Sequence, residues 1–513
     1  MRNFLLLLGD QRGRYLGVML CAAVVTGSEA TIHPLLLKAI FDAVSLRKDF
    51  GQFIWIGLGY FALGLIINFL NYFVALWTQR VDNRIVAQAS EGLLRAYFSK
   101  NYGDLLKQGS GYYVARIRSD VRDGLVPMLT TAREIVINAI TFILLISILI
   151  YISWHAFLIL SLIIPVSTGV SILVSRRIRR LTDIERDTEA AVVDVLTRSV
   201  SAFKMVRGFG MLSETLAAFT SSLDYALDST YRKFRVVRTL QGAGDLTMVI
   251  SDVCSIFVGA YFVFRNRLTL GSFIAFMNAF WRSATTLIFI FNKLAELHGY
   301  SATINRLVSF INDKPHVPYH VIGNELSATV ISYSYDAKPI LTDLSMGLKP
   351  GESCLILGKN GTGKTTLANI LCGHLSPTSG RLELPARISG VTLPLHFPPT
   401  QVRELPIDGE LLSIFGLDEP DVLDAKPDHL SAGQQQKIAL GLALTLDADL
   451  YVLDEPLANL DSSSRALAMR EIQRRTRGRM LVMIMHKADE YRSIFSHVHL
   501  LGGYLEAEEA MVA

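Results

Sequence analysis

Gly358-Lys359-Asn360-Gly361-Thr362-Gly363-Lys364-Thr365 fits the pattern G-x-x-x-x-G-K-[ST] at every fixed position. An apolar, strand-like run at 353–357 precedes it, and a helix-like run at 366–372 follows. That order predicts a phosphate-binding loop between a buried strand and a helix N-terminus. The glycines let backbone N–H groups curl around phosphate oxygens. Lys364 is placed for the β- and γ-phosphates, and the Thr365 hydroxyl for Mg²⁺. A chance glycine-rich turn is the competing reading, and the strand–loop–helix context sets it aside.

Two further stretches lie downstream. Leu450-Tyr451-Val452-Leu453-Asp454-Glu455-Pro456 reads as a buried strand ending in two carboxylates. Asp454 is the candidate Mg²⁺ holder, and Glu455 the group that orients or deprotonates an attacking water. Leu430-Ser431-Ala432-Gly433-Gln434 opens a helix-like run over 435–446. Ser431 is a natural N-cap, and the free N–H groups behind it form an anion site. Read alone, each is compatible with an ordinary strand end or an ordinary capped helix.

Together they resemble the ATP-binding cassette (ABC) ATPases. LSAGQ lies some twenty residues before LYVLDEP, as the family signature does. Leu460-Asp461 and Met485-His486 follow in the family order. The resemblance covers about 325–505 and implies ATP and Mg²⁺ as ligands. It places Gly358, Asn360, Gly361, Gly363, Lys364, Thr365 and Thr366 on the phosphates, and Tyr335 on the adenine. It places Thr365 and Asp454 on Mg²⁺, Glu455 on the water, and His486 as sensor of the γ-phosphate. Ser431, Gly433 and Gln434 would meet the nucleotide of an opposite subunit, with Asp461 bridging the two cassettes. One cassette per chain then implies a dimer, with two identical chains expected rather than a mixed pair. Two departures stand out. No glutamine falls near Thr392, where the family has one; the nearest, Gln401, lies beyond Pro398-Pro399. From Thr392 to Leu430 the chain is about half the family's usual length, so a shortened helical subdomain is expected.

Upstream the composition changes. The chain has 513 residues, 50% hydrophobic and 19% charged, with a mean hydropathy of +0.35. These values exclude a disordered or fibrous chain and argue against a wholly soluble one. A net charge of +4 is too small to argue for nucleic acid. Four cysteines at 21, 254, 354 and 372 show neither metal spacing nor a disulfide framework. A polar, proline-containing stretch at 312–324 reads as a linker between a domain at 1–311 and one at 325–513.

Six segments before the linker are long and apolar enough for membrane helices: 15–41, 53–77, 133–153, 155–174, 246–264 and 270–294. A tight turn near Ser153-Trp154-His155 joins the third and fourth. The stretches 80–132 and 176–244 are long and basic, which marks the cytosolic side. Their helical spacing predicts that the membrane helices continue outward, turn near 100–111 and 203–210, and return. The run 4–8 is too short for a signal-peptide core and reads as an interfacial helix. The stretches 109–120, 202–210 and 268–276 resemble the six-helix domain of ABC exporters. The expected protein is thus a half-transporter: an α-helical membrane domain fused to an α/β P-loop domain, in a bacterial inner membrane.

Within the apolar segments, Glu29 and His33 lie four apart on one helical face, and Arg282 is the deepest opposite charge. Ionisable groups at membrane depth face a cavity or each other. Glu29 and Arg282 are therefore candidates for a polar substrate pathway, with a packing ion pair as the alternative. The leading functional expectation is ATP-driven export of a lipid, a drug-like molecule or a modified peptide by alternating access. An ATP-gated channel, a regulatory subunit, or an importer on an exporter-type fold remain as alternatives.

Overall fold

The computed structural model describes residues 2–108, 110–161, 163–313, 320–335, 338–485 and 491–501. Its contacts divide the chain into two compact units. One comprises Met1–Ala96 with Val114–Asp313, the other Tyr97–Tyr113 with Lys314–Ala513.

The first unit is helical. In chain order it carries α1 (Arg2–Leu8), α2 (Arg12–Asp42) and α3 (Phe50–Phe98). Two short helices, α4 (Tyr102–Gln108) and α5 (Ser110–Ala115), bring the chain back. Then come α6 (Val126–Ser161), α7 (Ile163–Ser201), α8 (Phe203–Gly208), α9 (Leu212–Phe264) and α10 (Leu270–Asn312). At 1.5 Å per residue α3 runs about 74 Å, more than twice a hydrocarbon core. By length and composition, four described helical stretches can cross a membrane: Asn3–Leu46, Phe50–Phe98, Tyr112–Ser161 and Leu270–Leu294. They contain the expected segments 15–41, 53–77, 133–153 and 270–294. Segment 246–264 falls on α9, whose described apolar stretch is Asp252–Phe264. Segment 155–174 straddles α6 and α7, and from 162 to 179 its side chains lie outside the described residues.

Local chemistry sets the breaks between these helices. Ser153 is extended (φ −162°, ψ 103°) inside α6, and its hydroxyl accepts from Ala156 N at 3.4 Å. Thr269 caps α10 by accepting from Ser272 N at 3.0 Å. Close helix contact comes from small residues: Ala30, Ala156 and Ala279 are fully buried with Leu145, Leu149 and Phe276. A polar clasp adds to this. Arg133 on α6 makes a bidentate pair with Asp82 on α3, both bonds 3.0 Å. Its guanidinium lies 5.8 Å from the ring centre of Tyr15 on α2.

The second unit holds two sheets. The strands are β1 (Val321–Gly323), β2 (Leu326–Tyr335), β3 (Lys338–Leu348), β4 (Ser353–Gly358), β5 (Ser379–Pro385), β6 (Ile388–Val391), β7 (Leu450–Asp454), β8 (Met480–Met485) and β9 (His497–Leu501). A four-stranded sheet has the order β1-β5-β2-β3, and a five-stranded sheet the order β6-β7-β8-β4-β9. All four pairings of the second sheet are parallel. Its inner strands β7 and β8 are buried along their whole length, as a sheet covered on both faces requires. Ligands of such sheets bind beyond the carboxyl ends of the strands, where Gly358 and Asp454 sit.

Helices α11 (Lys364–Leu371), α14 (Ala432–Thr445) and α15 (Ser462–Arg475) flank this sheet. Between β6 and α14 lie only α12 (Gly409–Ile414), α13 (Pro420–Asp424) and two 3₁₀ turns. This is the shortened subdomain. Its Val402, Leu411, Phe415, Leu417 and Val422 share one hydrophobic core with α14, α15 and the sheet. The segment Tyr97–Tyr113 belongs to this unit as well. The Tyr102 ring meets His374 edge-on, centroids 6.3 Å apart. A Cβ added at Gly103 would fall 3.3 Å from Leu375 and 3.5 Å from the Tyr333 hydroxyl.

Candidate functional site

The loop between β4 and α11 wraps tightly. Gly361 and Gly363 have φ of 86° and 90°, a region that a side chain disfavours. The buried Lys364 folds back, its Nζ donating to the carbonyls of Gly358 at 2.8 Å and Lys359 at 2.9 Å. Asn360 is exposed at the crown of the loop, and Thr365 and Thr366 are half-buried in the first turn of α11.

Asp454 ends β7 and is 1% exposed. Burial pushes its carboxyl up and the charge of Glu455 adds to this, while the Thr365 hydroxyl, the Leu393 N–H and Lys364 pull it down. Its Oδ2 is buried with no hydrogen-bond partner. A buried carboxylate oxygen with no partner, beside a threonine hydroxyl, is a donor set of the kind a hard cation such as Mg²⁺ takes.

Glu455 follows with φ of 50°. Its N–H donates to Ile484 O of the neighbouring strand at 2.9 Å. His486, one residue beyond β8, lies outside the described residues.

Ser431 caps α14 through a reciprocal pair. Its hydroxyl accepts from Gln434 N at 3.3 Å, and its N–H donates to Gln434 Oε1 at 3.1 Å. Ser431 is exposed and Gly433 half-exposed. Asp461 caps α15, accepting from Ser464 N at 2.8 Å. The Ser464 hydroxyl and N–H hold its carboxyl below the usual range. Tyr335 stands at the end of β2, its ring edge-on to Tyr333 at 5.0 Å.

The structure thus brings Lys364, Thr365, Asp454 and Glu455 together at the strand ends. Ser431, Gly433 and Asp461 lie at outward-facing helix starts. Gln401 opens the 3₁₀ turn Val402–Glu404, where its backbone N–H donates to Glu404 Oε2 at 3.0 Å. Sequence reading missed Gln436, which is 1% exposed and donates to Glu455 O at 3.4 Å. Its signal was a glutamine placed to share a helical face with the apolar Ala439, Leu440 and Ala443.

In the helical unit, Arg282 Nη2 lies 3.3 Å from Glu29 Oε1, linking α10 to α2. Both side chains are partly exposed, at 28% and 40%. Nearby on α2, His33 meets Tyr60 edge-on at 5.4 Å. Lys293 bridges Glu134 at 3.2 Å and Glu296 at 3.0 Å, so it is spoken for by packing.

Comparison with known proteins agrees with this architecture. Residues 16–282 match the ABC transporter transmembrane region, and residues 341–458 match the ABC transporter model. An ATP-dependent lipid A-core flippase of Syntrophus aciditrophicus (strain SB) is 21% identical over 97% of this chain and 89% of its own. A protein of the same name from Thiobacillus denitrificans (strain ATCC 25259 / T1) is 22% identical over 96% and 92%. One from Burkholderia thailandensis is 23% identical over 91% and 85%. A fused membrane domain and ATP-hydrolysing domain, matched along nearly the whole chain, place this protein in the ABC transporter family.

Proposed function

We propose that this chain is one half of an ATP-driven exporter that moves a lipid-like amphiphile across the membrane. Two copies sandwich two ATP molecules. The observation that supports the reading is the placing of Asp454 and Glu455 beside the phosphate loop, in a chain whose relatives over most of its length are named ATP-dependent lipid A-core flippases.

The reading assigns the residues these roles. Backbone N–H groups from Gly358 to Thr366, with Lys364, hold the phosphates. Tyr335 stacks on the adenine. Asp454 and Thr365 would hold Mg²⁺, which supplies charge neutralisation on the phosphates when bound. Glu455 accepts the proton of the attacking water, and His486 holds that water in line. Ser431 and Gly433 of one copy close on the γ-phosphate held by the other, and Asp461 lies at the junction. Closure of the cassettes turns the membrane helices outward. Glu29 and Arg282 line the route taken by the polar end of the substrate.

The test uses the purified chain in lipid vesicles, with fluorescent lipid A as probe and a labelled water-soluble sugar as control. ATP should drive translocation of the lipid and not of the sugar, and the lipid should stimulate hydrolysis. ATP-dependent passage of small ions, with no lipid movement, would support a gated channel instead.

A further inference from the structure

The turn that carries Glu455 adopts a backbone that side chains disfavour. Glu455 has φ of 50° and Asn459 φ of 60°, both left-handed. Three hydrogen bonds fix the Glu455 backbone. Its N–H donates to Ile484 O at 2.9 Å, and its carbonyl accepts from Ala458 N at 3.1 Å. The third bond comes from a side chain: Gln436 Nε2 donates to the same carbonyl at 3.4 Å.

Gln436 belongs to α14, the helix that Ser431 caps. It is buried on the face that also carries Ala439, Leu440 and Ala443. One turn earlier, Gly433 lies so close to the same 455–459 turn that a Cβ would fall 2.9 Å from Asn459 O. The helix start that presents Ser431 outward therefore touches the Glu455 turn at both ends.

We propose that Gln436 is a positioning residue for the hydrolytic carboxylate, tying the aim of Glu455 to the position of the signature helix. This rests on the reading above, in which Glu455 acts at this chain's nucleotide and Ser431 and Gly433 close on the partner copy's. A movement of α14 on closure reaches the Glu455 carbonyl through the Gln436 amide. At 3.4 Å this is the longest of the three anchors, so it is the one most readily tightened or lost. Hydrolysis at one nucleotide then depends on how the same chain's signature meets the other.

The experiment uses the full chain in lipid and Gln436→Met, which keeps the length and volume but has no donor. The Glu455 carbonyl retains the Ala458 N–H, so no buried acceptor is stranded. The expected result is a kcat for ATP hydrolysis lower by about tenfold or more, with KM within about twofold of wild type. The unfolding midpoint should stay unchanged. In a Glu455→Gln background, Gln436→Met should leave the residual rate as it is, because the group it aims is already gone. Equal proportional losses in both backgrounds, or a fall in kcat that tracks the unfolding midpoint, would overturn the proposal while leaving the hydrolytic reading intact. Wild-type turnover by Glu455→Gln alone would overturn both. Should Gln436→Met fail to fold, Gln436→Asn keeps the amide, shortens its reach and carries the same comparison.

Discussion

Asp454 and Glu455 are neighbours in sequence but not in environment. Asp454 is buried beneath the phosphate loop with one oxygen held by its surroundings and one without a partner. Glu455 leaves the strand through a positive φ and is half-buried. On the proposed reading the first holds Mg²⁺ and the second acts on the water. Glu455→Gln should therefore bind ATP as wild type does and hydrolyse it about 10²–10⁴-fold more slowly. Nucleotide binding and turnover measured on one preparation check this. A rate near wild type would remove Glu455 from the reaction. In the membrane unit, the Glu29–Arg282 pair is long and partly exposed. On the proposed reading it serves a substrate pathway, in contrast to the buried, bidentate Arg133–Asp82 packing pair. Glu29→Gln should thus change lipid-stimulated hydrolysis and leave basal hydrolysis in place. A loss of thermal stability alone, restored in Glu29→Gln with Arg282→Gln, would return the pair to packing.

Elements show which features a sequence exposes. The break at Ser153 was readable because turn and capping chemistry is local. Ser431 was readable for the same reason. The Arg133–Asp82 pair was not, since its partners lie 51 residues apart on two helices. Tyr15 and Leu129, joined by a hydrogen bond of 2.7 Å, are 114 apart. Nor could spacing show that α4, lying between membrane helices, packs with the nucleotide unit through Tyr102 and His374. That contact carries a pH dependence. Burial holds the His374 imidazole below its ordinary value of 6.5. The unfolded chain then binds more protons than the folded one below about pH 6.5. The contribution of this contact is complete above that pH and is lost as pH falls through the lowered folded value. Hydrogen-exchange protection of Tyr102–Gln108 should drop between pH 7.5 and 5.5. The same segment in His374→Phe, which keeps a ring and cannot charge, should not change. Equal loss in both would assign the effect elsewhere.

At the scale of the whole molecule, the chain carries the parts of a nucleotide site on two different surfaces. The phosphate loop, Asp454 and Glu455 converge at the ends of the parallel strands. Ser431 and Gly433 head a helix whose N-terminal N–H groups face outward. In the proposed dimer a second copy would supply what each site lacks, by the isologous rule that governs two-fold pairs. The shortened subdomain does not remove this surface. Its apolar residues join the core that supports α14, so the signature helix keeps a firm base. The most direct measurement is ATP-dependent disulfide formation. It uses a chain with its four native cysteines replaced by serine or alanine, carrying Asn360→Cys, Ser431→Cys and Glu455→Gln. The account predicts a covalent dimer of twice the chain mass that forms with ATP and Mg²⁺ and is lost when Lys364→Ala is added. A chain that binds ATP normally, yet forms no cross-link between copies under these conditions, would contradict it.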